Sequence, residues 1–123
     1  MKPHRIQLRR SKGWHMPDDA VKVDRTTLFG NPFPIKEYGH DRAVDLHGKW
    51  LTGSLEGEGI PRSRMAELAA LRQKVLAALP ALRGKNLACW CSLPQPGERD
   101  NCHAALLLEL ANAARVEATR KAR

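Results

Sequence analysis

The spacing of apolar and polar residues changes several times along this chain, and the changes mark its elements. Arg5-Ile6-Gln7-Leu8-Arg9 alternates residue by residue, the period of a strand with one buried face. Ala20-Val21-Lys22-Val23-Asp24 does the same. The stretch from Gly13 to Asp19 between them is rich in turn formers, so these two strands are expected to pair directly. From Arg25 to Tyr38, two prolines and the Gly30-Asn31 pair argue against any regular element.

The period then lengthens to that of a helix. Asp41 is a candidate cap for a helix with Val44, His47 and Leu51 on its apolar face and Trp50 beside them. Thr52 to Pro61 is a Gly-rich loop. Ser63 is a candidate cap for a second helix, with Met65, Leu68, Leu71, Val75 and Leu79 on one stripe and Pro80 at its end. Gly84-Lys85 turns the chain into an apolar strand around Leu87. A last helix from Cys102 turns Leu106, Leu107, Leu110, Ala111 and Ala114 inward. The order β-β-α-α-β-α predicts an α/β fold: one small domain over residues 1–123, a short sheet of about three strands packed by about three helices. A basic tail is expected from about residue 116.

An apolar content of 42% suits a packed globule and is too high for a disordered chain. No stretch reaches the length of a membrane span. The basic start, Met1 to Lys12, is not followed by the apolar run of a secretory signal. Three cysteines cannot form a complete disulfide framework, so reduced thiols in the cytoplasm are the expectation.

The net charge of +8 changes the picture further. Arg5, Arg9, Arg10, Lys12, Lys22 and Arg25 form one basic group, and Arg115, Arg120, Lys121 and Arg123 another. Such a surface suits nucleic acid, a nucleotide or an acidic partner, and equally serves solubility. Trp14 and His15 directly follow the first group, so Trp14 is placed either to stack on a base or to cover a sheet edge.

The candidate chemistry is concentrated in one window. All the cysteines lie in Cys89-Trp90-Cys91 and Cys102-His103. On a strand, Cys89 and Cys91 point to one side and Trp90 to the other. Asp100 or Asn101 is a good N-cap, which places Cys102 and His103 in the first turn of a helix. The loop between is long enough to bring that turn beside the strand end, where open α/β sheets build their sites. Zinc would find four ligands in Cys89, Cys91, Cys102 and His103. A thiolate site is the competing chemistry. The helix start lowers the pKa expected for Cys102, making it a candidate nucleophile with His103 as acid/base partner and Cys89 as a further catalytic candidate. One residue between Cys89 and Cys91 is tight for zinc, and adjacent Cys and His diverge on a helix, which tilts the balance toward metal-free thiols. A third possibility is that Cys89 and Cys91 are small buried hydrophobes. Arg25, Asn31, Trp14 and Arg10 are candidate ligand-binding residues on the rim, with Asn31 alternatively spent on turn chemistry and Phe33 tucked into the core. His47 reads as a satisfied, half-buried histidine and Trp50 as core.

Several stretches resemble a bacterial and phage domain-of-unknown-function family, the one numbered four-three-two-six. They are Arg9 to Trp14, Val23 to Phe33 with its Gly30-Asn31-Pro32-Phe33, Ala43-Val44 with Trp50, and Leu82 to Cys91 joined to Cys102-His103-Ala104. The resemblance implies one compact domain and carries no established activity. A shorter likeness, a strand Cys followed by Cys-His opening a helix, is to the uncharacterised α/β family numbered four-eight-eight and points to the same fold class. The expectation is a nucleotide- or nucleic-acid-related enzyme or ligand-binding protein using the Cys/His site. Beside it stand a zinc-stabilised nucleic-acid-binding module without catalysis and a phage-type protein-interaction factor. Substrate, reaction and protein partner stay open.

Overall fold

The three strands lie parallel in one sheet, ordered β1-β3-β2. In the computed structural model, which describes the backbone of residues 2–121 and the side chains of residues 2–113, the strands are β1 Arg5–Gln7, β2 Ala20–Lys22 and β3 Asn86–Cys89. The helices are α1 Ile35–Tyr38, α2 His40–Thr52, α3 Arg62–Ala78 and α4 His103–Lys121, with a 3₁₀ turn at Leu79–Leu82 between α3 and β3. Among the described residues no helix is long and apolar enough to cross a membrane.

The α/β class matches the expectation from the period pattern, but the direct pairing of the two N-terminal strands does not occur. β3 lies between them, with Arg5 opposite Leu87 on one side and Val21 opposite Leu87 on the other. The physical reason is in the side chains. All four residues of β3 are buried, so it belongs where both faces are covered. The two alternating strands each have a polar side that the centre of a sheet would bury, so they take the edges. Asn86 opens β3 and holds both edges: its Oδ1 accepts His4 N–H at 2.9 Å and its Nδ2 donates to Asp19 Oδ2 at 2.9 Å.

Two expected caps are also corrected. Asp41 is the second residue of α2, whose N-cap is Gly39. Ser63 lies inside α3, which starts after Pro61. In both places the chain direction is set by a backbone-restricting residue, with Gly39 at φ 84° and Pro61 at φ −55°, so no side-chain cap is made. Pro34 likewise precedes a helical turn instead of breaking one, which is why α1 exists in a stretch the prolines were expected to keep irregular.

The core joins sheet and helices. Val23, Phe33, Leu46, Leu82, Leu87 and Leu107 are among its fully buried members. Leu68 and Val75 of α3 and Ala111 of α4 are buried, and Met65, Leu71, Leu106 and Leu110 pack against them. Trp50 is core as expected; its Nε1 donates to Leu68 O at 2.9 Å, tying α2 to α3. The inward turn of Ala114 and the basic tail with Arg115, Arg120, Lys121 and Arg123 fall outside the described side chains.

Candidate functional site

β3 delivers Cys89 to the carboxyl edge of the sheet and ends there, and Cys91 follows on the same side with its Sγ 4.0 Å from that of Cys89. The chain returns through Pro94 to Asp100 and enters α4 at His103, so Cys102 is the last residue before the helix. The return is clamped at its end by α2. His40 Nε2 donates to Asn101 O at 2.6 Å, and the Asn101 amide donates to Asp41 Oδ1. Asp41, expected to cap a helix, instead positions the residue before Cys102.

Through this arrangement the sulfurs of Cys89, Cys91 and Cys102 all lie within 4.8 Å of one another. His103 stands beside this group rather than within it, its Nδ1 3.9 Å from Cys102 Sγ. Its other ring nitrogen, Nε2, is 2.6 Å from Val23 O. A carbonyl only accepts, so Nε2 carries a proton and donates to it. Cys102 precedes the helix and is free of helical geometry, which leaves its Sγ 3.9 Å from the adjacent His103 Nδ1.

The thiols share their protons unequally. The Cys102 and then the Cys91 thiol hydrogen-bond to Cys89, outweigh its burial and hold its pKa far below the ordinary thiol range. Cys102 goes the other way: its bonds to Cys89 and Cys91, together with burial, keep its proton in place. The helix start does act on Cys102, through the Ala104 N–H, but the neighbouring sulfurs outweigh it. The expected depressed thiol is therefore Cys89 and not Cys102. Cys91 is drawn down by Cys102, yet its bond with Cys89, burial and the charge on Cys89 leave it raised. Cys102 and Cys89 are 1% and 5% exposed, while Cys91 is half-buried.

Arg5 is the residue the alternation pattern missed. Its sequence position groups it with the basic surface, but it is buried beneath the return loop. Its Nη1 donates to Cys91 O at 2.8 Å, its Nη2 to Ser92 O at 2.6 Å and its Nε to Asp100 Oδ2 at 2.5 Å. The alternation had placed it on the polar side of a half-buried strand; only the loop folded over that side makes it internal.

A cleft of about 520 Å³ opens onto Cys89, Cys91 and His103. Arg10, Arg25 and Asn31 line it, and Trp14 is not among its lining residues. Asn31 has its amide committed, with Nδ2 donating to Ala43 O at 2.9 Å and Oδ1 accepting Phe33 N–H at 2.9 Å. Asp24 and Trp90 also line the cleft, joined by a bond from Trp90 Nε1 to Asp24 Oδ2 of 2.8 Å. Burial pushes the Asp24 carboxyl up, but bonds from Thr26 and Trp90, with Lys22 nearby, hold it below the ordinary range. Behind the site, His47 packs its ring 5.2 Å from that of His103. It is not the satisfied histidine expected, since its Nδ1 is buried without a partner. Burial, and then the proximity of His103, lower its pKa to about 3, so it is neutral at physiological pH.

No curated protein and no solved structure matches the chain. A family model does, over residues 6–113, a span that holds all three cysteines, His103 and the cleft residues Arg10, Arg25 and Asn31. The chain therefore belongs to the family described as Domain of unknown function (DUF4326).

Proposed function

We propose that this protein is a metal-centred ligand-binding protein of nucleotide or nucleic-acid type, in which Cys89, Cys91, Cys102 and His103 hold one zinc ion beside the basic cleft. The observation that carries the reading is the convergence of three sulfurs within 4.8 Å, with His103 Nδ1 beside one of them, 3.9 Å from Cys102 Sγ. In a tetrahedron with Zn–S bonds of about 2.3 Å, sulfurs sit roughly 3.8 Å apart. The 4.0 Å between Cys89 and Cys91 Sγ is close to that edge. A metal-ligating histidine commonly donates its second ring N–H to a carbonyl, as His103 does. Three thiolates and an imidazole suit zinc by ligand softness, and no redox step is required of it.

The same geometry speaks against a thiol nucleophile, which must be both ionised and reachable. Cys102 is sealed, Cys89 reaches the cleft with only 5% of its surface, and Cys91, the more accessible one, holds its proton. The three free thiols also fit a reducing compartment, the cytoplasm. Zinc here would clamp the end of β3 to the start of α4 and so build the cleft wall.

Metal analysis of the purified protein tests the reading. One zinc per chain is expected, lost in Cys91→Ser and Cys102→Ser, with thiols that alkylate only after chelation. Metal-free protein whose Cys89 or Cys91 alkylates rapidly at neutral pH would replace it with the thiolate reading.

A further inference from the structure

The cleft over the Cys/His centre has a composition that points to one kind of ligand. Arg10, Arg25 and Lys36 line it, and among the described residues none of them forms an ion pair. Asp24 is the one carboxylate in the same wall, and its charge is already answered. It accepts Trp90 Nε1 and the Thr26 hydroxyl, and lies 3.7 Å from Lys22 Nζ. The charge lining the cleft is therefore net positive, and among the described residues no carboxylate pairs with these cations. The remaining wall is mainly apolar, and its polar Asn31 and His40 are bonded within the fold. Ile35 and Trp90, both large, are left 54% and 39% exposed there, and the Arg10 guanidinium sits 4.7 Å above the Trp90 ring.

We propose that this cleft binds a nucleoside monophosphate, its phosphate among Arg10, Arg25 and Lys36 and its base against Ile35 and Trp90. The inference rests on the ligand-binding reading above and narrows it. A volume of about 520 Å³ is that of a small-molecule pocket. A polynucleotide would need cations and aromatic platforms strung along a track, whereas here the free cations share one bounded cleft. Phosphate alone would leave the exposed apolar wall unused, and a nucleoside alone would leave the cations unpaired.

Calorimetric titration of the zinc-loaded protein with AMP, GMP, CMP and UMP, adenosine, inorganic phosphate and a twelve-residue oligothymidylate tests it. At least one monophosphate should bind, with adenosine and inorganic phosphate each at least roughly tenfold weaker than AMP if AMP is the tight one. Arg25→Ala and Lys36→Ala should each weaken that monophosphate by roughly tenfold, with zinc content and circular dichroism unchanged. Failure of all four monophosphates on folded, zinc-loaded protein overturns the proposal. So does oligothymidylate binding tighter than any monophosphate, or a monophosphate affinity indifferent to both substitutions. Protein that contains no zinc yet binds a monophosphate through Arg25 and Lys36 would sink the metal reading and leave this one standing.

Discussion

Arg5 shows how much one buried side chain can organise. Its guanidinium satisfies two carbonyls and a carboxylate in a fixed fork, which an ammonium cannot reproduce. Its own burial disfavours the charge, but the bond to Asp100 and the nearby Cys102, Asp100 and Cys91 more than restore it. Arg5→Lys is expected to cost about 2–4 kcal/mol in urea unfolding at constant slope, and to lower zinc affinity roughly 10- to 100-fold in a chelator competition. Asp24 carries a pH prediction. Its folded pKa lies below the ordinary 3.8, so its stabilisation is complete above that value and is lost as pH falls through the lower folded value. Asp24→Asn should therefore flatten the part of the acid-unfolding curve below about pH 4, while costing about 1–3 kcal/mol at pH 7 because Thr26 and Trp90 lose a charged acceptor.

At the scale of elements, the decisive unit is strand β3, the return loop and the start of α4. It brings Cys91 and Cys102 together because Arg5 holds the loop at one end and His40 with Asp41 holds it at the other. The segment after β2 supplies the opposite wall, and it depends on one glycine. Asp24 O accepts Thr27 N–H at 3.0 Å and Gly30 N–H donates to Thr27 O at 3.1 Å, folding Gly30 back onto the chain. A Cβ at Gly30 would stand 2.3 Å from Arg25 Cα and 2.8 Å from Asp24 O, both backbone atoms that cannot step aside. Gly30→Ala is expected to destabilise by about 2–4 kcal/mol in thermal unfolding and to weaken ligand binding in the same protein, since it displaces Arg25. The Gly-Asn-Pro-Phe signature is thus a packing requirement, with Asn31 and Phe33 fixing the turn and the core.

For the whole molecule, metal and core are expected to share the work of stability. Unlike a zinc finger, this chain buries a continuous apolar cluster from Val23 to Ala111, so chelation should not unfold it outright. Removing zinc at pH 7 should lower the midpoint of thermal unfolding by about 10 °C or more, corresponding to roughly 3 kcal/mol, and added zinc should restore it. An unfolding midpoint that ignores chelator on protein with one zinc bound would place the metal at the surface of the energetics.

The local pattern along the chain carries the class of fold and the position of the three long helices α2, α3 and α4, but not of α1, because period and punctuation are properties of neighbouring residues. It also marks the cysteine window, since strand, loop and helix start are adjacent there. Three things depended on contacts between distant segments. The centre of the sheet went to β3, because burial on both faces is decided by what packs over a strand and not by the strand's own alternation. Arg5 became internal because a loop 86 residues away covers it. The protons of the thiols were redistributed because a helix start can lower the pKa of an isolated cysteine, whereas three sulfurs brought within 4.8 Å set each other's charge.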